Sequence, residues 1–194
     1  MMMTLKPLHL VACALSGLFA LGAVLAAQAT PAAPAPRARD GAHDFDFNFG
    51  LWKTHIRRFA DPFANDPRAI ELHGTVTVRK IWDGRGQIEE IEADGPQGHW
   101  EGLTTFLYNP AARQWVQTFA DSRDGVLTTP LVGEFREGRG ELYAQESFRG
   151  RTLLIRGTWS DIKPDSHRFE EDFSADGGRT WIPAFIGELT RVSH

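Results

Sequence analysis

From about residue 49 to the C-terminus, apolar and polar residues alternate with a period of two far more often than they recur at the helical spacing of about 3.6. Turn-forming Gly, Pro, Asn and Asp residues interrupt the alternation about every ten to fifteen residues. A chain written this way folds as consecutive antiparallel hairpins. The alternation places strands at about 49–59, 71–82, 87–93, 99–108, 114–121, 130–136, 141–149, 152–161, 167–174 and 180–191. Asn109-Pro110-Ala111-Ala112-Arg113, Glu137-Gly138-Arg139-Gly140 and Asp176-Gly177-Gly178 mark three of the turns. Asp61 to Arg68, with Pro62 and Pro67, reads as a longer loop or a short helical turn. An open sheet of this size would expose two edges. Rolling it up pairs the first strand with the last, so the expected fold is all-β, an up-and-down antiparallel barrel of about ten strands with room inside for one small ligand.

The residues before the alternation belong to a different regime. Lys6 and His9 precede an apolar run from Leu10 to Ala27, and Ala27-Gln28-Ala29 offers the small-x-small pattern of a signal-peptidase site. Residues 1–29 therefore read as a signal peptide cleaved near Ala29, and the protein as periplasmic or secreted. A retained membrane anchor is the competing reading, because the run approaches the length that spans a bilayer. Cys13 lies in Leu10-Val11-Ala12-Cys13, which has the look of a lipidation box, but most of the apolar run follows the cysteine rather than preceding it. With Cys13 removed no thiol is left, so stability must come from packing rather than disulfides. Residues 30–42, TPAAPAPRARDGA, are rich in Ala and Pro and read as a linker, leaving 43–194 as the barrel domain. Loss of Lys6 takes the formal charge from −4 to −5. A mildly acidic chain without a basic run has no electrostatic footprint for nucleic acid, and no membrane association is expected after cleavage.

Gly50-Leu51-Trp52 on the first strand resembles the G-x-W signature of the calycin superfamily, which includes lipocalins, fatty-acid-binding proteins and nitrobindins. That resemblance implies that Trp52 closes one end of the barrel and that Arg191, in Leu189-Thr190-Arg191 of the last strand, packs across its face. Cation–π attraction supplies the physical reason. A closer likeness spans the whole domain: Phe45-Asp46-Phe47 with Gly50 and Trp52, Arg57-Arg58, Tyr108-Asn109-Pro110 with Trp115, Ala120-Asp121-Ser122, Trp159-Ser160 with Ile162, Pro164 and Ser166, Arg168-Phe169-Glu170, and Ser174 to Trp181. These resemble a bacterial lipocalin-like family that implies a fold and no settled activity. Ser174-Ala175-Asp176-Gly177-Gly178-Arg179-Thr180-Trp181 also fits the Asp-box pattern of sialidases. One copy cannot build a propeller, so Asp176 and Trp181 are expected to fold a hairpin turn and glycosidase chemistry is not.

Candidate chemistry is sparse. His43, Asp44 and Asp46 bunch like metal ligands, yet no two histidines stand at i, i+2 on a strand or i, i+4 on a helix, so no metal site and no cofactor is expected. Haem, which the nitrobindin likeness brings into view, would use His167 or His99 as axial ligand, but Thr54 stands where nitrobindins carry a further glycine. There is no G-x-S-x-G elbow, and Ser122 beside Asp121 and Arg123 reads as a strand-end turn. No catalytic residue is assigned. Glu89-Glu90 and Glu170-Glu171 are adjacent on strands, so each pair points to opposite faces and reads as a solvated edge.

Strand parity carries the remaining inference. One face of the fourth and fifth strands reads Trp100, Gly102, Thr104, Phe106, Tyr108 and then Trp115, Gln117, Phe119, mixing large rings with polar tips as ligand cavities do. This face is expected to point inward, either to line a pocket with Trp100, Tyr108, Trp115 and Gln117 or simply to fill the core. Three charges share apolar faces: Arg58 with Trp52 and Ile56, Glu146 with Leu142 and Phe148, and Arg156 inside Leu153–Gly157. A charge so placed must pair or meet a ligand. Arg156 and Glu146 would pair with each other, or Arg58 or Arg156 would counter an anionic group on a small, partly apolar ligand. Two other classes stay open: an isomerase or hydrolase with Glu146 or His99 as base, and a filled barrel acting through its surface.

Overall fold

The computed structural model describes residues 40–148 and 150–192. The stretch read as a signal peptide, and all but the end of the stretch read as a linker, lie outside the described residues. Ten antiparallel strands close into a barrel: β1 (Gly50–Phe59), β2 (Ala69–Ile81), β3 (Gly86–Gly95), β4 (Gly98–Asn109), β5 (Gln114–Asp121), β6 (Leu131–Arg136), β7 (Arg139–Phe148), β8 (Arg151–Lys163), β9 (Ser166–Ser174) and β10 (Ile182–Arg191). Each strand pairs with its sequence neighbours, and β1 pairs with β10 from Trp52↔Arg191 to Arg58↔Phe185, which removes both sheet edges.

The alternation that marks the strands also sorts their faces. On β4 the burial pattern alternates strictly from Trp100 to Tyr108, with Trp100, Gly102, Thr104, Phe106 and Tyr108 inward. Turns form where the sequence supplies the necessary residues. Trp82, Asp83 and Gly84 run through positive φ (51°, 56° and 92°) in the 3₁₀ turn Trp82–Gly84 between β2 and β3. The wall is drawn in tightly at Gly74 and Gly133, where a β-carbon would lie 1.8 Å from the Glu92 carbonyl oxygen and 1.9 Å from that of Glu141. Only glycine lets adjacent strands coil so closely. The stretch from Asp61 to Arg68 is bends and turns, without a helical segment of its own.

Up-and-down order gives the barrel two distinct ends. At one end lie the short connections 82–85, 110–113, 137–138 and 164–165, together with residues 40–49, which enter the interior as two 3₁₀ turns, Gly41–His43 and Asp46–Asn48. At the other lie the longer loops 60–68, 122–130 and 175–181. Two buried clusters fill the interior, one around Phe45, Phe106, Trp115 and Trp159 and the other around Trp52, Val76, Ile91 and Trp100.

Candidate functional site

The short-turn end is sealed by the chain's own residues. Phe45 is fully buried, its ring 4.8 Å from those of Phe106 and Phe135, 5.0 Å from Trp115 and 5.3 Å from Trp159. The rings hold the incoming segment through their polar tips: the Tyr108 hydroxyl donates to Asp40 Oδ1 (2.9 Å) and Trp115 Nε1 to the Gly41 carbonyl (2.9 Å). Tyr108 and Trp115 point inward as parity predicts, but they lie in this plug and do not line the cavity. Their assignment as ligand contacts is corrected for that reason. Residues 40–42, in the linker stretch, are likewise part of the plug.

Beside the plug, Trp52 Nε1 donates to the Asn48 carbonyl (2.8 Å), and the Arg191 guanidinium lies 3.9 Å from the Trp52 ring centroid. Arg191 also donates to the carbonyls of Phe47 (2.9 Å), Phe49 (2.7 Å) and Pro164 (2.8 Å), tying the plug to the last strand. His167 stands under this lid, 4.4 Å from Trp52 and 5.1 Å from Phe47 ring to ring, with no hydrogen-bond partner on either nitrogen among the described residues. Burial first, and the nearby Arg191 charge second, push its pKa down to about 3, so it is a neutral ring in an aromatic nest. It does not reach the cavity wall.

Above the plug and below the long loops lies a cavity of about 340 Å³, within the range that holds a small ligand. Its wall is largely apolar and aromatic, with Ile56, Trp100, Phe119, Phe169, Phe173 and Phe185 prominent. Five ionisable side chains enter it: Arg58 from β1, Glu89 from β3, Asp121 from β5, Glu146 from β7 and Glu171 from β9. Arg58 reaches to 3.8 Å from Asp121, and Asp121 also accepts Trp100 Nε1 (2.6 Å) and the Arg123 amide (2.9 Å). Those donors and the Arg123 and Arg58 charges outweigh burial and keep its carboxyl below the usual range. Gln117 also lines the cavity and accepts Trp159 Nε1 (3.1 Å).

Glu89 is 5% exposed, accepts the Thr104 hydroxyl (2.9 Å) and the Asn48 amide (3.2 Å), and has its pKa raised by burial. Glu146 accepts the Thr129 amide at 3.3 Å. Glu171 is pushed up to about 7, first by burial and then by the charges of Glu146 and Asp172. The sequence pattern makes Glu89 and Glu171 solvated edges, but both line the cavity instead. Their neighbours Glu90 and Glu170 do face outward, paired with Arg79 (2.8 Å) and Arg168 (2.7 Å). Parity was the usable signal, since Glu171 lies two residues from both Phe169 and Phe173.

Arg156 is on the outer face of β8. It pairs with Asp172 (2.8 Å) and stacks on Trp181 at 4.4 Å, so it neither pairs with Glu146 nor meets a cavity ligand. Trp181 is positioned by the Ser174–Trp181 hairpin, in which Asp176 accepts the Arg179 and Thr180 amides (3.0 and 2.9 Å) and the Thr180 hydroxyl (2.7 Å). Those bonds hold the Asp176 carboxyl well below its ordinary range. His99 is exposed beside Asp94 (3.1 Å), which removes it as a cavity base or axial ligand. His43 pairs with Asp46 (3.0 Å), and among the described residues no three His, Cys, Asp or Glu side chains converge on a metal position.

A closed ten-strand barrel, filled at one end and hollow at the other, defines the class of small-molecule-sized β-barrels. The chain belongs to the family described as "Protein of unknown function (DUF1579)", whose profile matches residues 45–182. The S-type phycobiliprotein lyase CPES from Guillardia theta has the same fold, with a TM-score of 0.53 at 12% identity over 77% of this chain and 91% of that one. Two Mycobacterium tuberculosis proteins, described as phosphoserine phosphatase SerB1 (strain ATCC 25618 / H37Rv) and putative hydrolase MT0526 (strain CDC 1551 / Oshkosh), are each 32% identical over 94 residues. Those matches cover 44% of this chain and 29% of either relative, so the chain spans less than a third of the curated relatives it matches.

Proposed function

We propose that this is an exported, calycin-like barrel that binds one small, partly apolar molecule in its cavity and works in the periplasm or outside the cell. The observation that supports it is the 340 Å³ space between the plug and the long loops, walled largely by apolar and aromatic side chains with a limited set of polar and ionisable groups among them. Export rests on the Lys6, Leu10–Ala27 and Ala27-Gln28-Ala29 pattern of the sequence.

Native mass spectrometry of the protein purified from its own host tests the reading. A retained small molecule, or competitive uptake of the neutral fluorophore N-phenyl-1-naphthylamine, is the expected result. A bare mass together with no uptake refutes binding. The size of the band after fractionation, processed and outside the cytoplasm, tests export separately. An isomerase or hydrolase in the same cavity is favoured by one feature, a Glu171 carboxyl poised near neutrality for proton transfer. Chemical conversion of the retained molecule, abolished by Glu171→Gln with binding intact, would select it.

A further inference from the structure

The charges of the cavity do not balance. Arg58 and Asp121 neutralise each other, and Asp121 is further engaged by Trp100 and the Arg123 amide. Arg58 therefore leaves little charge over for an anion. The three other carboxyls have no cationic partner within 4.0 Å among the described residues. Glu89 is nearly inaccessible and points into the space. Glu146 receives a single backbone amide, and Glu171 makes no hydrogen bond among the described residues. A carboxylate in such a wall is costly until it meets a counter-ion or takes up a proton. Phe119, Phe169 and Phe173 line the same space, and their ring faces attract cations and repel anions.

We propose that the cavity selects molecules carrying a protonated amine on an apolar body, with Glu146 and Glu171 receiving the cation and the aromatic wall the rest. This rests on the cavity-binding reading above and names its ligand class. A carboxylate or phosphate ligand would add repulsion to three carboxyls that have no cationic partner among the described residues. A neutral ligand would leave them as they are. An ammonium group supplies the missing charge and three donors for carboxylate oxygens, and its desolvation is offset by those bonds. The raised Glu171 pKa is what a carboxyl without its counter-ion shows.

Octylamine, octan-1-ol and octanoate share one tail and differ in head-group charge, so titration calorimetry with each at pH 8 separates the possibilities. The amine is expected to bind about tenfold or more tightly than octanoate, the scale of one well-made charge contact. In the double variant Glu146→Gln with Glu171→Gln the amine should fall to the alcohol's affinity while the alcohol's own affinity holds. Octanoate binding as tightly as the amine overturns the proposal, as does an amine preference that survives in the variant. If the alcohol binds and the amine gains nothing, the amine class falls and cavity binding stands. If none of the three enters and the neutral fluorophore also fails, both fall.

Discussion

The two ends of the barrel use the same strands for opposite purposes. At the plugged end every large ring has a neighbour and most polar tips have a partner: Tyr108 with Asp40, Trp115 with Gly41, Trp52 with Asn48, and Arg191 with three carbonyls. At the hollow end the rings face space, and among the described residues Glu89, Glu146 and Glu171 have no cation within 4.0 Å. Dense, satisfied packing supplies stability, and unsatisfied groups around a void supply binding potential. The contrast extends to protons. His167 is held neutral at the plugged end and Glu171 is biased toward neutrality at the hollow one, so the two ends respond to pH in opposite senses.

The largest expected effect comes from emptying the plug. Phe45→Ala removes a fully buried ring from five aromatic neighbours and should cost about 3–5 kcal/mol in urea unfolding, as buried Phe→Ala changes do. A much smaller loss would break the claim that this end carries the stability. Arg191→Met should cost about 3 kcal/mol, because three carbonyls lose their donor and Trp52 its cation.

The pH predictions come next. A His167 pKa of about 3, against an ordinary 6.5, means that the unfolded chain binds the extra proton. Its stability contribution is full above pH 6.5 and lost as pH falls toward 3, on the order of 2 kcal/mol at pH 5. The ring is faced by Phe47, Trp52, Trp159 and the Arg191 charge, and His167→Leu should flatten that acid limb. Glu171, at about 7 against 4.5, runs the other way: its contribution is full below pH 4.5 and lost as pH rises through 7. Glu171→Gln should therefore make the protein more stable than wild type at pH 8, by on the order of 3 kcal/mol, and leave pH 4.5 nearly unchanged. The Arg58, Glu89, Asp121 and Glu146 charges of the wall, and Asp172 behind it, are present in both. An alkaline limb unchanged in the variant would show that another group carries it. Arg58→Met should have the smallest effect, less than about 1 kcal/mol, since a pair at 3.8 Å near a mouth is weak.

Alternation and turn chemistry made the ten strands legible almost to the residue. The turn at 109–113 falls between Asn109 and Gln114, and β6 begins at Leu131. Parity also placed Trp100, Gln117, Arg58 and Glu146 on the inner face, where the structure finds them in the cavity wall. Depth along the barrel was not legible. Tyr108 and Trp115 share the parity of Trp100 and Gln117, and only the entry of residues 40–49 from below decides that they meet the plug instead of the void. Arg156 was obscured because Leu153-Leu154-Ile155 does not alternate, so the run hid which residues face outward. Its cover, Trp181, arrives from a hairpin 25 positions further along the sequence. Pairing between distant segments of this kind has no local signature.

The closure of β1 against β10 also fixes how the molecule can be handled. Asp40 reaches Tyr108 and the Val192 amide donates to the Leu51 carbonyl, so both described ends of the chain lie at the plugged pole. A tag, bead or sensor surface joined directly at either described end therefore holds the barrel by its base, with its mouth toward solution.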